Sequence, residues 1–482
     1  MKTQAFKKLF FTLLALGSWF GASSQQQPDS LYSYLEIAAK NNPTVLQRYF
    51  EYEAALQKIP QVGSLPDPTV NVGVFLKPME LVAGNQVADI QLMQMFPWFG
   101  VLKNAKDEMS LMANAKFESF RDAKLQLFLD VQRSWYDMHK IRQNIRISQK
   151  NIDILKTIER LAIVRFKAGP SGSNPSSSGS SPAPASSQAS SSGSSGMNTM
   201  GGSSGTSAGS VSVQSSSAMP GNSMGSSSGS SGLTDVYSIQ IEISDVQNNI
   251  ELLKNQWNTL TSQFNSYLNR PPESPVTLPD TLIVDNFQLS LLALSDTAFS
   301  NNPMLGMLQY EQKSLEARKQ MVTKMGYPMV GFGLNYTVIQ QNPMSSSSMN
   351  GKDMIMPMVT ATLPIYRKKY NAMKTEADLL KSATAQNYIA VANGLKTEYF
   401  QAIQLDQDAQ RRIKLYADQY RLASKSLDIM FRSFASSGTD LTDILRVRQQ
   451  TLDYEYKQME AIADYNTSIA WIKRLMAFSQ VQ

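Results

Sequence analysis

The sequence predicts a mainly α fold in which long coiled-coil helix hairpins alternate with short β-hairpins, four strands in all. Three observations predict it: long stretches with apolar residues at helical spacing, short segments that alternate apolar and polar residues, and a duplication of the whole pattern. Steps of three and four residues place apolar side chains on one helix face, whereas steps of two place them on one strand face. The chain of 482 residues is long enough for a large fold or two domains.

The first 24 residues are typical of a signal peptide. Three lysines precede an apolar run of about fourteen residues, and small residues follow near Ala22 to Ser24. The apolar run is too short to span a bilayer, and small polar residues after it are typical of a cleavage site. We therefore expect residues 1–24 to be removed and the mature chain to be exported.

Composition narrows the function classes. The chain contains no cysteine, so an exported form has no disulfide and no thiol to which a lipid could be attached. Beyond residue 24 no run of about 18 apolar residues exists, which excludes a membrane-spanning helix but not a β-barrel of short alternating strands. The net charge of +6 is scattered and partly due to the three leader lysines, so we expect no nucleic acid partner.

Four sequence landmarks occur twice and in the same order. They are "NNP" from Asn41 and from Asn301, "MFPWFG" and "TLPIYR" around Pro97 and Pro364, "RFKAG" and "RSFASSG" ending at Gly169 and Gly438, and "LTDVYSIQ" and "LTDILRVR" from Leu233 and Leu441. The intervals agree, since Pro97 lies 72 residues before Gly169 and Pro364 lies 74 before Gly438. We interpret 25–285 and 286–482 as two structural repeats.

One interval differs between the repeats. Two residues separate Gly438 from Leu441, whereas 63 separate Gly169 from Leu233. The extra stretch, 170–232, is rich in serine and glycine and carries no charge, a composition typical of disorder. We interpret it as an insertion into the turn of one helix hairpin, not as a linker between domains.

Long helices are predicted on both sides of this insertion. Residues from about 101 to 166 contain no proline and keep helical apolar spacing. After the insertion, steps of three and four alternate without a miss, which predicts a coiled-coil seam. The seam consists of Val236, Ile239, Ile243, Val246, Ile250, Leu253, Trp257, Leu260, Phe264 and Tyr267. Such helices far exceed the average of about 11–12 residues in globular proteins.

Two β-hairpins are predicted, at about 68–97 and about 328–364, from alternating segments such as "MVGFGLNYTV". Four strands cannot close a spanning barrel, since the smallest have about eight. An open sheet leaves unpaired edges, which a bilayer does not tolerate. Hence the strands either form a soluble sheet under the helices or are pooled between several subunits. Apolar alternation in an exported, cysteine-free chain favours pooling.

Candidate catalytic chemistry is sparse. His139 is the only histidine, and without cysteine a His-based triad or a zinc cluster has almost nothing to build from. No G-x-S-x-G follows a predicted strand. We therefore expect no enzyme and no cofactor, and we expect His139 to be an ordinary helix-surface or interface residue.

At the duplicated landmarks the chain resembles the TolC-like outer-membrane efflux family over essentially its whole mature length. The resemblance is carried by the two "NNP" motifs, by the prolines that end strands before long helices, and by the "F…G…LTD" turns of both repeats. The stretches "FPWFG" and "GKDMIMPMVTATLPIYRKKY" are most similar to the heavy-metal (Cus/Czc-like) branch.

The resemblance implies a homotrimer in which each protomer gives four strands to a twelve-stranded membrane β-barrel. The barrel would sit in outer-membrane lipid and the helices would form a periplasmic tunnel. A periplasmic adaptor (membrane fusion protein) would link the tunnel to an inner-membrane RND-type pump. The function so implied is a passive exit duct. The alternatives are a drug or small-molecule duct of the same architecture and a structural coiled-coil protein of the cell envelope.

The resemblance also places the periplasmic entrance and the adaptor contact at the helix-hairpin tips. The tip residues so implied are Gly169, Asp235, Gly438, Asp440, Asp443 and Arg446. Asp443 matches a position at which the family often carries an acid, and Asp235 is its repeat mate. Arg446 stands where many members carry a second acid, so this chain departs from the acidic entrance that the resemblance implies.

Methionines concentrate at the last predicted strand, and two more lie on the second. The candidate residues are Met93, Met95, Met354, Met356 and Met358. Each group has the parity of the polar residues of its own strand, and the polar side of a membrane barrel is its lumen. Because thioethers suit soft ions such as Cu(I) and Ag(I), we expect transient luminal contacts to such ions. The alternative is that methionine only fills space.

Overall fold

The computed structural model describes residues 31–81, 83–168, 231–282, 284, 299, 301–435 and 440–478. The predicted signal peptide, Gly169, nearly all of the 170–232 insertion and Gly438 lie outside these residues. The elements are α1 (Leu31–Asn41), α2 (Pro43–Gly63), β1 (Thr69–Leu81), β2 (Gly84–Phe96), α3 (Val101–Ala168), α4 (Ser231–Tyr267), α5 (Pro303–Met325), β3 (Met329–Gln340), β4 (Met354–Thr362), α6 (Arg367–Ala435) and α7 (Leu441–Leu475). The prediction of a mainly helical fold with four antiparallel strands is confirmed.

The two "NNP" motifs form the same structure. Asn42 and Asn302 are the N-caps of α2 and α5, with φ near −65° and ψ of 124° in both. The side-chain oxygen of Asn42 accepts from Thr44 N at 3.0 Å, and that of Asn302 accepts from Met304 N at 3.0 Å. Proline follows each cap at the first helical position, where its missing N–H costs nothing.

Each cap also ties its helix to the end of another. Asn42 Nδ2 donates to the carbonyl of Tyr267, the last residue of α4, at 2.9 Å. Asn302 Nδ2 donates to the carbonyl of Leu475, the last residue of α7, at 3.2 Å. These bonds satisfy carbonyl groups that a helix end leaves without an intrahelical partner.

Most of the described chain, residues 1–151 with 246–482, belongs to one compact unit. Its largest buried cluster joins α1, α3, α4 and α7 through Tyr34, Leu35, Val131, Trp135, Met138, Phe264, Leu268 and Ala470. The ring of Tyr34 meets that of Phe264 edge-on at 5.2 Å. A second cluster joins α5, α6 and α7 through Leu305, Leu395, Tyr399, Ala402, Ile472 and Leu475. The first cluster therefore combines residues of the first repeat with Ala470 of the second, whereas the second cluster consists of residues of the second repeat.

The described residues between 152 and 245 form a second compact unit. Its buried residues are Ile152, Leu155, Ile158 and Ala162 of α3, and Val236, Ile239 and Ile243 of α4. Gln240 donates from Nε2 to Glu159 Oε1 at 2.8 Å within this unit. The three- and four-residue steps predicted for the α4 seam are thus the steps between its buried side chains.

The four strands form one sheet in the order β1-β2-β3-β4, with every neighbouring pair antiparallel. The pairing of β2 with β3 joins the two repeats, with Phe96 opposite Val330 and Asn85 opposite Gln340. The ladder between β1 and β2 shifts register between Val74 and Met79. Among the described residues, no helix carries an apolar stretch long enough to cross a membrane.

Candidate functional site

The sheet has one polar face and one apolar face. Residues opposite one another in neighbouring strands point to the same side of a sheet, and alternate residues of a strand share that side. Following the register, Asn71 lies opposite Gln91, which lies opposite Asn335, which lies opposite Met356. This row and its neighbours on the same side define the polar face.

The polar face consists of small, polar and thioether side chains. Over the regular part of the ladders its members are Thr69, Asn71 and Gly73 of β1, Asp89, Gln91, Met93 and Met95 of β2, Met329, Gly331, Gly333, Asn335 and Thr337 of β3, and Met354, Met356, Met358, Thr360 and Thr362 of β4. All five candidate methionines lie on it. The methionines of β2 and those of β4, whose side was predicted separately for each strand, therefore lie on the same face of the sheet, because β3 pairs with both strands.

Two glycines make room for longer side chains on this face. A Cβ on Gly331 would lie 2.5 Å from the Met95 sulphur, so this thioether occupies the place where the Gly331 side chain would be. Similarly, the Asp89 carboxylate reaches over Gly73, within 2.3 Å of where a Cβ would stand. Asp89 is the one acidic side chain of the polar face, and sequence reasoning used it only to set the parity of β2.

The opposite face of the sheet is apolar and uncovered. Over the regular part of the ladders its members are Val70, Val72 and Val74, then Ala88, Ile90, Leu92, Gln94 and Phe96, then Val330, Phe332, Leu334, Tyr336 and Val338, then Ile355, Pro357, Val359 and Ala361, with Gln94 as the polar exception. Val74 is 68% exposed and Val359 is 71% exposed. Exposure of this extent shows that the described helices leave this face uncovered. The alternative of a soluble sheet under the chain's own helices is therefore wrong.

Both edges of the sheet are open as far as the described residues go. β1 and β4 each pair with one neighbour only. Pro78 and Pro357 each remove one donor from these edge strands, where proline is usually found in sheets. The remaining backbone groups of an exposed edge are a template for pairing with another chain.

The structure describes four of the six candidate tip residues. Asp440 precedes α7 at the N-cap position, and its side chain makes no capping hydrogen bond. Asp443, in the first turn, pairs with Arg446 at 2.8 Å. Asp235, in the 152–245 unit, is half-buried and has a partner of its own. Gly169 and Gly438 lie outside the described residues.

The ion pair between Asp443 and Arg446 shows what an arginine does at position 446, where the family resemblance implies a second acid. An acid in the first turn of a helix is favoured by the positive end of the helix dipole. The neighbouring guanidinium of Arg446 offsets the negative charge that Asp443 would otherwise present. In the same turn, Leu441 and Ile444 are both fully buried and anchor the start of α7.

Polar contacts further along α7 were not signalled by any motif. Arg448 donates from Nε to Asn151 Oδ1 at 2.6 Å, and burial lowers the pKa of this guanidinium. Burial raises the pKa of Glu455, and the nearby Arg448 opposes that rise. The hydroxyls of Ser148 and Tyr456 are hydrogen-bonded to each other. These pairs connect α3 with α7 in the larger unit.

His139 is fully buried, so of the two expected positions it is an interface residue and not a helix-surface residue. Its ring meets Trp135 edge-on at 5.3 Å, and neither ring nitrogen has a hydrogen-bond partner among the described residues. Burial, helped by the charge of Arg142, lowers the pKa of His139 to about 4. The side chain is therefore neutral at physiological pH and belongs to the core.

No group of three or more His, Asp or Glu side chains is arranged to hold a metal ion within the described ranges. The candidate ligands for a soft metal predicted from the sequence are the five thioethers of the polar face. On β4, Met354 and Met356 are exposed and Met358 is half-buried. Such ligands would offer exchangeable contacts, not a closed site.

No protein-family model and no curated protein matches the chain. Solved structures do match it in fold. The outer membrane protein VceC from Vibrio cholerae superposes with a TM-score of 0.66 at 10% identity, covering 93% of this chain and 96% of that one. The outer-membrane channel MtrE of Neisseria gonorrhoeae in its open state superposes with a TM-score of 0.66 at 12% identity, covering 93% of this chain and 88% of that one.

A structure of CusC, solved in a study of its folding and transmembrane channel formation, gives a TM-score of 0.68 at 11% identity, with 92% and 91% coverage. The three likenesses are equal within a few hundredths of a TM-score. They show that this chain has the fold of outer-membrane channel protomers along nearly its whole length, and they favour no one branch.

Proposed function

We propose that the chain is the outer-membrane exit duct of a tripartite efflux system. Three copies would pool their sheets into a twelve-stranded barrel in outer-membrane lipid, with the long helices in the periplasm. The polar face would line the channel and the apolar face would meet lipid. The duct is passive and carries no cofactor, so the energy for export comes from a partner pump.

One observation carries this proposal: a four-stranded sheet with an exposed apolar face, a polar opposite face and two open edges. In water, exposed apolar surface of this extent is costly, since each Å² of it costs about 25 cal/mol relative to burial. In lipid, open edges are costly, because no water is present to bond the free N–H and C=O groups. Closing the sheet with copies of itself inside a bilayer removes both costs.

We also propose partners for the helical part. A periplasmic adaptor would dock at the hairpin tips. The tip of the first hairpin comprises Gly169 and Asp235, and that of the second comprises Gly438, Asp440, Asp443 and Arg446. An inner-membrane RND-type pump would deliver the substrate. The Asp443–Arg446 pair is exposed, as a docking surface requires.

The barrel is tested by placing one charge on either face of β4. Val359→Arg puts a guanidinium on the apolar face, which in a membrane barrel costs about 2–4 kcal/mol at mid-depth. Thr360→Arg, one residue away, puts the same group on the polar face. We expect Val359→Arg to deplete heat-modifiable trimers from outer-membrane fractions. Thr360→Arg should leave the trimers intact and reduce single-channel conductance in planar bilayers.

The two variants are matched controls for each other. Equal trimer yields for both would contradict the assignment of the faces. A soluble periplasmic monomer with no conductance would instead support a structural coiled-coil protein of the envelope.

We propose that the exported substrate includes soft cations such as Cu(I) or Ag(I). The support is the convergence of Met93, Met95, Met354, Met356 and Met358 on the polar face. A row of thioethers along a channel wall provides weak successive contacts, which suits passage better than retention.

The substrate is tested by changing Met354, Met356 and Met358 together to leucine, which keeps side-chain volume and removes the sulphur. Copper and silver tolerance of the host should fall while tolerance of drugs and detergents is unchanged. Met344→Leu with Met349→Leu, two exposed methionines of the β3–β4 connection, is the matched control. Unchanged metal tolerance in the triple variant would favour a drug or small-molecule duct.

A further inference from the structure

A cavity of about 530 Å³ lies where the sheet meets the helices. Its walls are apolar and largely aromatic: Leu65, Phe96, Trp98, Phe99, Pro328 and Phe332. Phe99 is 87% exposed, so the cavity opens outward from the chain. The volume lies within the range of about 300–1,000 Å³ usual for small-ligand sites.

The position of the cavity on the sheet matters. Phe96 ends β2, and Val330 and Phe332 begin β3, so the wall belongs to the two central strands. All three residues lie on the apolar face. Pairing of the free edges, β1 and β4, with neighbouring copies would therefore leave the cavity uncovered and continuous with the lipid-facing surface of the proposed barrel.

A cation stands at the rim of this cavity. Tyr327 stacks on Trp98 with ring centroids 5.4 Å apart, and Lys324 Nζ lies 5.9 Å from the Tyr327 ring. The Lys324 side chain passes about 4 Å from where a Cβ on Gly100 would stand, and Gly100 is part of the wall. Lys324 is exposed and forms no ion pair with a described residue.

More positive charge lies at the same end of the sheet. Arg367, Lys368 and Lys369 follow β4 and open α6; all three are exposed, and none forms an ion pair with a described residue. The first turn of α6 contains no acid. Cations at a helix N-terminus oppose the helix dipole, so helix stability does not account for them.

We infer that this cavity binds an acyl chain of an anionic glycerophospholipid, whose phosphate is held by Lys324. The inference rests on the proposed function, because it requires the apolar face to be in lipid. An acyl chain suits an aromatic, hydrogen-bond-poor cavity that continues a lipid-facing surface. The exposed lysine supplies the charge that a phosphate needs, and its stem covers apolar surface while its head stays at the membrane–water interface.

Trp98 is the probe for this inference. The trimer would be placed in lipid nanodiscs whose phosphatidylglycerol or phosphatidylcholine carries bromine on the acyl chain, which quenches nearby tryptophan. The difference in fluorescence between the wild-type protein and Trp98→Phe isolates the Trp98 signal. We expect both brominated lipids to quench it, and phosphatidylglycerol to displace phosphatidylcholine preferentially in mixtures.

Lys324→Gln should reduce the preference for phosphatidylglycerol about five-fold, the contribution expected of one interfacial lysine. Lys352→Gln is the matched control, since Lys352 is exposed and precedes β4 at the opposite end of the sheet. Absence of Trp98 quenching by either lipid would overturn the acyl-chain site. Quenching with no headgroup preference, or an equal loss in both lysine variants, would overturn the role of Lys324.

Conductance of the same nanodisc-derived trimers in planar bilayers separates the two proposals. Conducting trimers without quenching would refute the lipid site and leave the duct intact. Non-conducting monomers would refute the duct itself.

Discussion

The N-terminal and C-terminal repeats solve the same structural problem with different side chains. Asn42 and Asn302 cap equivalent helices and reach equivalent carbonyls, those of Tyr267 and Leu475. Three residues before those carbonyls, one repeat buries Phe264 where the other buries Ile472. The hydrogen bonds at the helix ends are thus the same in both repeats, whereas the sizes of the buried side chains differ.

The long helices after each hairpin differ in the same way. Thirty-eight residues after Pro97 stands Trp135, whereas thirty-eight after Pro364 stands Ala402, and both are buried. Forty-two residues after the same prolines stand His139 and Asp406. The comparison teaches that a helix cap requires one side-chain geometry, so the same residue stands in both repeats. A buried core position accepts different residues, because neighbouring side chains can repack around it.

The largest expected effect is on the pH dependence of folding stability, to which His139 of the first repeat and Asp406 of the second contribute with opposite signs. His139 has a pKa of about 4 when folded and about 6.5 when unfolded, so the unfolded chain binds the proton first as pH falls. Folded-state stability should therefore decline between about pH 6.5 and pH 4, by about 3 kcal/mol in all. His139→Gln should remove this decline when thermal unfolding is followed by circular dichroism at several pH values.

Asp406 should respond in the opposite direction. Burial raises its pKa, and a hydrogen bond from Ser468 partly offsets the rise. The folded chain therefore binds this proton first, and its contribution grows as pH falls. Asp406→Asn should make the wild-type decline steeper. An unchanged pH profile in both variants would show that neither site titrates as its burial requires.

The caps are the next largest test of the comparison. Asn42→Ala and Asn302→Ala each remove a helix cap and the donor to a buried carbonyl, which should cost about 2 kcal/mol per site. Chemical or thermal unfolding of each variant measures this loss. Asn→Ser at the same positions retains a good capping group but cannot reach the carbonyl, so it should restore about half. Strongly unequal losses would show that the two caps are not equivalent.

The smallest effects are expected just past the helix ends. Asn269 and Ala477 both have positive φ, 54° and 51°, two residues after α4 and α7. Asparagine tolerates this conformation better than alanine, and glycine adopts it freely. Ala477→Gly should therefore stabilise the fold by about 1 kcal/mol and Asn269→Gly by less. Equal or negative shifts in the unfolding temperature would contradict this ranking.

Much of this architecture follows from the sequence, because its signals are local. The α4 seam, the two hairpins and the paired caps are each encoded within one stretch of chain. The parity of Met354 with Met356 is likewise local, since alternation within one strand fixes it.

Features that depend on distant partners were not predictable. The register that brings Met93 opposite Gly333, and Gly333 opposite Met358, is set by pairing between the repeats. The sequence left open whether His139 lies on a helix surface or in an interface, because the number of helices that pack around α3 is set by distant parts of the chain. The approach of Lys324 and Tyr327 to Trp98 likewise spans more than 200 residues.

Because β2 pairs with β3, the central pair of strands can form only after both have been synthesised. Phe96 of β2 pairs with Val330 of β3, which lies 234 residues later in the chain. At synthesis rates of about 5–20 residues per second, the first hairpin waits roughly 10–50 s for its partner. During that interval the apolar face of β1 and β2 has no strand of the second repeat beside it.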